Sequence, residues 1–151
     1  MSSKQRPLRL LALDGGGVRG LSSLIILKRI MYILGRRQGL PGQQLLRPCD
    51  HFDMIAGTST GGLIAIMLGT FSMGVQECID AYLDMAPKIF PKEDFVSGSA
   101  LGKAWKGVRG TARFDAAALE AEVKKLIVEH LKEEPNVVFD QISKSEDDCH
   151  I

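Results

Sequence analysis

The stretch LRLLALDGGGVRGLSSLIIL, residues 8–27, contains the strand-to-helix junction that decides the fold. Its apolar run Leu8–Leu13 is short and stands directly before a glycine cluster, which predicts a buried strand of a parallel sheet. From Leu21 onward the apolar residues recur at three- and four-residue spacing, which predicts a helix that ends at Gly35. The buried side of that helix is predicted to contain Leu24, Leu27, Ile30, Met31 and Leu34.

The same order of elements returns in FDMIAGTSTGGLIAIMLG, residues 52–69. Phe52–Ala56 predicts a second short strand, and Gly62–Gly69 is apolar enough to predict a helix that is buried on most sides. Proline and glycine residues within Arg36–Asp50 predict a loop between the two units. Strand, helix, strand and helix joined by short glycine turns predict an α/β fold around a mostly parallel sheet.

Beyond residue 70 the chain predicts two amphipathic helices with a long connection between them. One helix starts at Val75 and ends near Pro87, and the other is capped by Asp115. Pro91–Arg113 shows no clean period and predicts a partly ordered loop. Cys149–Ile151 is predicted to open another strand. The apolar faces are predicted to contain Val75, Cys78, Ile79, Tyr82, Leu83 and Ala86 in the first helix, and Leu119, Val123, Leu126, Ile127 and His130 or Leu131 in the second.

The segment Asp14–Gly20, DGGGVRG, is predicted to be an anion-binding loop. Three consecutive glycines let the backbone approach a ligand and direct several N–H groups to one point, and the next helix adds its N-terminal dipole. A tight turn without a ligand is one alternative. A dinucleotide site is another, because the loop fits G-x-G-x-x-G, but Leu21–Cys49 contains no Asp or Glu for a ribose hydroxyl. Arg36 and Arg37 could serve an NADP site, although no second strand precedes them, and a P-loop is excluded because no Gly-Lys-Ser/Thr follows.

The segment Gly57–Gly61, GTSTG, has the G-x-S-x-G pattern of a nucleophile elbow between a strand and an apolar helix. The flanking glycines allow a sharp turn, which predicts that Ser59 is exposed at the carboxyl edge of the sheet beside a helix N-terminus. A serine that only caps the helix is the alternative. Because both glycine motifs follow strands, both are predicted at the sheet edge where open α/β folds bind ligands.

Together, LLALDGGGVRGLSSLIIL and FDMIAGTSTGGLIAIMLG resemble the patatin-like phospholipase family, densely over Leu8–Gly69 and weakly beyond Pro91. The resemblance implies a three-layer α/β/α sandwich and a Ser–Asp dyad that works without histidine. It implies that Ser59 is the nucleophile. The oxyanion hole that it implies is formed by the backbone of Gly15, Gly16 and Gly17. The supporting residues that it implies are Arg19 and Gly20 in the first loop and Gly57, Thr58, Thr60 and Gly61 in the elbow.

The general base that the resemblance implies is an aspartate in a later Asp-Gly-Gly or Asp-Gly-Ala motif, and this sequence contains no such motif. Its one Asp-Gly pair is Asp14-Gly15 in the first loop, and neither Asp115 nor Asp140 is followed by glycine. We therefore expect residues 1–151 to be the N-terminal portion of a single patatin-like domain. The aspartate is expected beyond the last residue, and this portion is expected to be inactive by itself.

The histidines and cysteines predict neither a catalytic triad nor a metal site. No histidine stands with an acid at the later strand ends that a Ser–Asp–His triad requires, and His130 is expected at the boundary of the core. Cys49, Cys78 and Cys149 have no zinc-like spacing and are expected to be reduced thiols. The sequence implies no organic cofactor and no metal, calcium included, because it has no dense acidic loop.

The composition predicts a soluble, cytoplasmic protein that meets lipid from the aqueous side. The formal net charge of +1 gives no general attraction to nucleic acid, and residues 1–9 lack the apolar segment of a secretory signal. Leu21–Leu34 is too short to span a bilayer. The cationic and aromatic residues of Lys88–Arg113, Trp105 among them, predict either a solvated connection or a flap that contacts anionic headgroups.

The resemblance implies a lipid acyl hydrolase of the phospholipase A type. Its substrate is expected to be phospholipid or another acyl lipid, with transient contact to the membrane surface. The alternative is a non-catalytic lipid- or protein-binding module on the same scaffold. A nucleotide-binding domain is the third hypothesis.

Overall fold

Two short parallel strands and five helices form the part of the chain that the structure describes. This computed structural model describes residues 6–40, 46–90, 115–137 and 149–151. A 3-10 turn at Gly17–Arg19 leads into the first helix, and a π-helical turn at Ile127–Leu131 continues the last one. In chain order the elements are β1 (Leu10–Leu13), α1 (Gly20–Arg37), α2 (Pro48–His51), β2 (Met54–Gly57), α3 (Thr60–Gly69), α4 (Val75–Ile89) and α5 (Ala116–Leu126).

Strand β2 lies between two parallel neighbours. β1 pairs with it along the whole length of both strands, so that Leu10 lies opposite Met54. On the other edge, His150 forms a parallel bridge with Met54, and the Ile55 N–H donates to the His150 carbonyl at 2.8 Å. The further strand predicted to open at Cys149–Ile151 therefore coincides with a parallel bridge on the second edge of β2.

The described residues cover one face of the sheet. Helix α3 packs against both strands, and Leu13 and Ile55 are buried. Leu10 and Met54 alternate with them and are 62 % and 42 % exposed, because no described helix covers their face. The prediction of a buried strand over Leu8–Leu13 is therefore confirmed in its parallel pairing and at Leu13, but it is wrong at Leu8 and Leu10 for the described residues. Strand β1 begins at Leu10, and Leu8 is exposed.

Helix α3 is the centre of the core. Seven of its ten residues are buried, and Ile64, Met67 and Leu68 have no exposed surface. It contacts both strands and also α1 and α4. The buried helix predicted at Gly62–Gly69 is confirmed and begins earlier, at Thr60. A parallel sheet with helices packed on it is the predicted α/β class, and it is consistent with the sheet and one helical layer of an α/β/α sandwich.

Helix α1 differs from its prediction at its end and on one side. The buried stripe consists of Gly20, Leu24, Leu27, Met31 and Gly35. Ile30 is 42 % exposed, because it lies outside the stripe that faces α4, so its predicted burial is wrong. Gly35 does not end the helix but lies buried within its last turn, and the glycine with left-handed angles is Gly39, at φ 79°.

Helix α2 interrupts the loop predicted over Arg36–Asp50. Pro48 opens this helix at its first turn, where the missing N–H costs nothing, so here proline starts a helix instead of breaking one. The Phe52 N–H bonds back to the Pro48 carbonyl at 2.8 Å. Because Phe52 still belongs to the end of α2, β2 begins at Met54 and not at the predicted Phe52.

Helix α4 continues through Pro87 to Ile89 instead of ending near the proline. Proline removes its own hydrogen bond, whereas Met85, Ala86 and Ile89 bury the last turn in the core. Leu83 is 45 % exposed, because it lies just outside the buried stripe of α4, so its predicted burial is wrong.

Helix α5 begins at the predicted cap. Asp115 Oδ1 accepts a hydrogen bond from the Ala118 N–H at 3.0 Å. Leu126 is buried against the core, as predicted. His130, in the turn that follows α5, is partly buried and stacks on the Phe71 ring with centroids 6.0 Å apart, which agrees with a boundary position.

The cysteines of the chain are thiols. All three lie in the described residues, and no disulfide joins any two of them. Burial raises the pKa of the Cys78 thiol and also that of Cys49. Both side chains are therefore held in the protonated, less nucleophilic form at neutral pH.

The loop predicted over Pro91–Arg113, with the flap hypothesis that rests on Trp105, lies outside the described residues. Residues 41–45 and Asp140 lie outside them as well. Within the described ranges, no helix has both the length and the apolar character that crossing a membrane requires.

Asp53 ties the N-terminal arm to the start of β2. Its carboxylate accepts hydrogen bonds from the Arg6 guanidinium at 2.8 and 2.5 Å and from the Arg9 N–H at 2.7 Å. Its own N–H donates to the Arg9 carbonyl, and its carbonyl accepts from the His150 N–H. The Arg6 guanidinium, and next the Arg9 N–H, hold the pKa of Asp53 well below its usual range. The ionised side chain of Asp53 thus joins the N-terminal arm to β2, and the backbone of the same residue joins β2 to the segment at His150.

We expect Asp53→Asn to lower the free energy of unfolding at neutral pH. We also expect this free energy to fall less steeply in the variant as the pH is lowered. The pKa of Asp53 is lower in the folded than in the unfolded chain, so its contribution is complete above a pH of about 4 and is lost as the pH falls toward the folded pKa. Urea unfolding of both proteins from about pH 7 down to about pH 2 measures this, and the difference should shrink below about pH 4.

Asp80→Asn is the matched control for this measurement. Asp80 accepts a hydrogen bond from the neutral Gln76 amide at 2.9 Å, so its replacement should leave the acid limb of the stability curve in place. A difference between wild type and Asp53→Asn that stays constant down to about pH 2 would contradict the role of the Asp53 carboxylate.

Candidate active site

Ser59 occupies a sharp turn between the end of β2 and the start of α3. Its backbone angles are φ 52° and ψ −126°, which cost a residue with a side chain about 1–3 kcal/mol. Ser59 is exposed, and its side chain forms no capping hydrogen bond with α3. The alternative of a serine that only caps the helix is therefore wrong, and the turn presents the hydroxyl to solvent.

The absence of side chains at positions 57 and 61 makes the turn possible. A Cβ on Gly61 would overlap the Leu13 carbonyl and lie 2.8 Å from the Asp14 carbonyl oxygen. A Cβ on Gly57 would overlap the backbone of Gly61. Helix α3 therefore starts in direct contact with the end of β1, and this contact sets the separation between the two glycine motifs.

The glycine loop after β1 lies directly against the elbow, as the two motifs predict. A Cβ on Gly15 would lie 2.8 Å from the Ser59 Cβ and 3.5 Å from the Ser59 Oγ. The Gly15 N–H donates to Thr58 Oγ1 and the Gly16 N–H donates to Thr60 Oγ1, both at 3.2 Å. The two threonines that flank the serine therefore hold the loop with their hydroxyl groups.

Gly17 has left-handed backbone angles that favour glycine, with φ at +56°. Its carbonyl accepts hydrogen bonds from the Tyr82 hydroxyl at 2.5 Å and from the Gly20 N–H. No acceptor for the Gly17 N–H is found in the part of the chain that the structure describes. The three glycines predicted to form an oxyanion hole thus differ. The N–H groups of Gly15 and Gly16 are occupied, and that of Gly17 is available.

Tyr82 of α4 belongs to this site, although the sequence pattern indicates it only as part of an apolar helix face. Its side chain is 1 % exposed. Burial raises the pKa of Tyr82, and a hydrogen bond with the Thr60 side chain partly offsets that rise. A Cβ on Gly20 would lie 2.6 Å from the Tyr82 hydroxyl oxygen, so the tyrosine explains why position 20 is glycine. The signal that points to Tyr82 in the sequence is its place on a predicted buried helix face, because a buried tyrosine hydroxyl needs a hydrogen-bond partner.

Arg19 is exposed beside the loop. Its N–H donates to the Gly16 carbonyl at 3.2 Å, and its Nε would lie 3.6 Å from a Cβ on Gly16. No carboxylate of the described residues forms an ion pair with Arg19. Its backbone therefore orders the loop, while its guanidinium stays available to an anion.

The described residues offer no general base to Ser59. None of their side chains forms a hydrogen bond with its Oγ, and Asp115 is a helix cap. His51 and His150 lie at the start of β2, whereas Ser59 follows its end. The Arg9 guanidinium is 3.1 Å from His51 Nδ1, and burial, followed by the charge of Arg9, lowers the pKa of His51. That histidine therefore has a partner away from the elbow.

Comparison with known proteins points to one family. The Patatin-like phospholipase family matches residues 11–144. The chain is 41 % identical over 97 residues to Patatin-like protein 2 of Arabidopsis thaliana, which covers 60 % of this chain and 23 % of that protein. It is 36 % identical over 88 residues to the cGAMP-activated phospholipase of Vibrio cholerae, covering 58 % of this chain and 24 % of that protein. It is also 36 % identical over 93 residues to the Calcium-independent phospholipase A2-gamma of Homo sapiens, covering 62 % and 11 %.

The chain spans a quarter or less of the length of these three relatives. The family match nevertheless includes both glycine motifs, with Ser59 and Tyr82 between its limits. No match was found among solved structures.

Gly61→Ala is expected to destabilise the fold by about 3 kcal/mol, because the new methyl group would overlap the backbone of β1, which cannot move aside. Urea unfolding of the wild type and of the variant measures the change. Gly74→Ala is the matched control. Gly74 has extended angles, φ −66° and ψ 153°, and a Cβ there would meet nothing within 4 Å. Equal stability of Gly61→Ala and Gly74→Ala would show that α3 does not touch β1 in solution.

Proposed function

The chain belongs to the patatin-like phospholipase family, and on this premise we propose that it supplies the nucleophile and the oxyanion loop of a lipid acyl hydrolase of the phospholipase A type. Ser59 is the nucleophile, and Gly15–Gly17 is the oxyanion loop. The observation that carries the proposal is an exposed Ser59 with strained backbone angles, packed against that loop. Backbone strain of this kind persists where the surrounding structure enforces it, and it is concentrated at functional sites.

The proposed reaction is acyl transfer through a serine ester. Ser59 Oγ attacks the carbonyl carbon of the acyl ester while its proton passes to a general base, and the carbonyl oxygen becomes an oxyanion. The Gly17 N–H and the N-terminal end of α3 stabilise this charge. The bond to the alcohol then breaks, the alcohol takes the proton, and water hydrolyses the serine ester to release the carboxylic acid and restore Ser59.

The general base is proposed to be an aspartate in an Asp-Gly-Gly or Asp-Gly-Ala motif that this sequence does not contain. Support comes from the described residues, where no side chain bonds to Ser59 Oγ and Asp115 is engaged as a helix cap. The proposal therefore assigns the binding and attack steps to these residues and the proton transfer to a group outside them.

The substrate is proposed to be phospholipid or another acyl lipid, met transiently at a membrane surface from the cytoplasmic side. The names of two relatives, a cGAMP-activated phospholipase and a calcium-independent phospholipase A2, support a lipid substrate class. Arg19 is the residue that we propose to face the lipid phosphate, since it is exposed beside the loop and has no ion pair in the described residues. Each proposed step is carried out by side chains or backbone groups of the protein itself.

A non-catalytic lipid- or protein-binding module is the second candidate function. The observation that favours it is the lack of any described side chain bonded to Ser59 Oγ, because a serine without a base is a weak nucleophile. The elbow strain favours the hydrolase, since a binding module has no need of an exposed hydroxyl in a costly backbone conformation.

We expect a fluorophosphonate probe to modify the wild-type chain at Ser59 and to leave Ser59→Ala unmodified. The probe reacts with serine hydroxyls that lie beside an oxyanion hole, because its phosphoryl oxygen takes on the same negative charge. Intact-mass spectrometry gives the labelled fraction, and peptide mapping gives the site. The same samples are tested for hydrolysis of a short-chain p-nitrophenyl ester.

Ser22→Ala is the matched control, because Ser22 is an exposed serine on α1. It should be labelled at the wild-type rate. Labelling of the wild type without turnover would support the hydrolase with its base outside this chain. No labelling at Ser59 under conditions that label a known serine hydrolase would favour the binding module.

A further inference from the structure

Two side-chain hydrogen bonds join the glycine loop to the elbow and to helix α4. The Gly16 N–H donates to Thr60 Oγ1 at 3.2 Å, and the Tyr82 hydroxyl donates to the Gly17 carbonyl at 2.5 Å. The loop thus donates to the Thr60 hydroxyl and accepts from the Tyr82 hydroxyl, so each side chain fixes one group of the loop backbone.

Both side chains that hold the loop are buried. Thr60 is 7 % exposed and Tyr82 is 1 % exposed. Hydrogen bonds in such surroundings are stronger than those in water, and a member left without its partner is costly. The two hydrogen bonds therefore hold the loop in one arrangement. Gly20 makes room for the tyrosine, because a Cβ there would press on the Tyr82 hydroxyl.

The peptide unit between Gly16 and Gly17 lies between the two anchored groups, the Gly16 N–H and the Gly17 carbonyl. The Gly16 carbonyl accepts the Arg19 N–H at 3.2 Å inside the 3-10 turn. Since a trans peptide directs its N–H opposite to its carbonyl, the Gly17 N–H must point out of that turn. The N–H groups of Gly15 and Gly16 are taken by Thr58 and Thr60, so Gly17 supplies the N–H that the loop leaves available to a ligand.

We propose that Thr60 and Tyr82 are positioning residues that aim the Gly17 N–H at the carbonyl oxygen of the bound ester. This inference rests on the proposed function of Ser59 and adds two residues to it. Neither hydroxyl needs to touch the substrate. They act through the loop, because each bonds to a peptide group next to the one that carries the Gly17 N–H.

The test measures how fast a fluorophosphonate probe modifies Ser59 in the full 151-residue chain, as a function of probe concentration. This separates the maximal rate of modification from the apparent affinity for the probe. For Tyr82→Phe, which keeps the ring and removes the hydroxyl, we expect the maximal rate to fall about tenfold, with the affinity unchanged within about twofold. The thermal midpoint of each variant is recorded beside these values.

Two matched comparisons separate positioning from packing. Tyr32→Phe removes the hydroxyl of the other tyrosine, which lies on α1 beneath the Arg29 guanidinium, and should leave the rate unchanged. Thr60→Ser keeps the hydroxyl and should retain the wild-type rate, whereas Thr60→Val keeps the shape and should lose about tenfold. Amide hydrogen exchange at Gly16 gives a readout that does not depend on chemistry. We expect it to quicken in Thr60→Val but not in Thr60→Ser.

The outcomes distinguish this inference from the proposed function. A wild-type chain that labels at Ser59 while Tyr82→Phe labels equally fast overturns the positioning role and leaves the nucleophile intact. A lower thermal midpoint with an unchanged rate assigns Tyr82 to packing alone and also overturns it. If the wild type does not label at Ser59, the proposed function fails. Unchanged exchange of the Gly16 amide in Thr60→Val would show that the bond from the Gly16 N–H to Thr60 does not exist in solution, which overturns the positioning role of Thr60.

Discussion

The contact between Gly61 and the Leu13 carbonyl is the constraint on which the rest of the site depends. Because position 61 has no side chain, the first turn of α3 can touch the end of β1. This approach brings Ser59 against Gly15 and places two threonine hydroxyls within reach of two loop N–H groups. The missing side chain at one position thus allows two segments that are more than forty residues apart in the chain to pack together.

The two ends of the sheet are held by different physical means. At the start of β2, Asp53 joins its neighbours through an ionised carboxylate at the surface, which water and salt can reach. At the end of β2, the loops are joined by neutral hydrogen bonds, and the innermost of these, around Thr60 and Tyr82, are shielded from solvent. Because the partners in these bonds are neutral, the bonds themselves add no negative charge that would oppose a developing oxyanion at the Gly17 N–H.

Periodicity and glycine placement predict much of this architecture from sequence. The α/β class, the order of the elements, the cap at Asp115 and the meeting of the two glycine motifs all follow from local rules. The burial of individual side chains does not follow from these rules. Ile30 and Leu83 belong to apolar patterns, but they lie just outside the stripes that neighbouring helices cover. The predicted ends of helices and strands are wrong for a similar reason. Helix propensity predicts that α4 ends near Pro87, but the burial of Ile89 in the core outweighs the hydrogen bond that the proline removes.

Tyr82 shows why a site cannot be completed from motifs alone. Its contact with Gly17 joins residues 65 positions apart, and the helical period places it correctly in the core without revealing where its hydroxyl points. Position 20 shows the same contact from the other side. It is glycine because a side chain there would collide with Tyr82, and not because a turn requires glycine.

Burial in the core also maintains the backbone strain at Ser59. Ile64, Met67 and Leu68 fix α3 by burial, and displacing this helix to relax one backbone angle would expose surface worth more than the roughly 1–3 kcal/mol that the strained turn costs. The strain is therefore maintained by the same helix whose first residue, Thr60, orders the loop beside it.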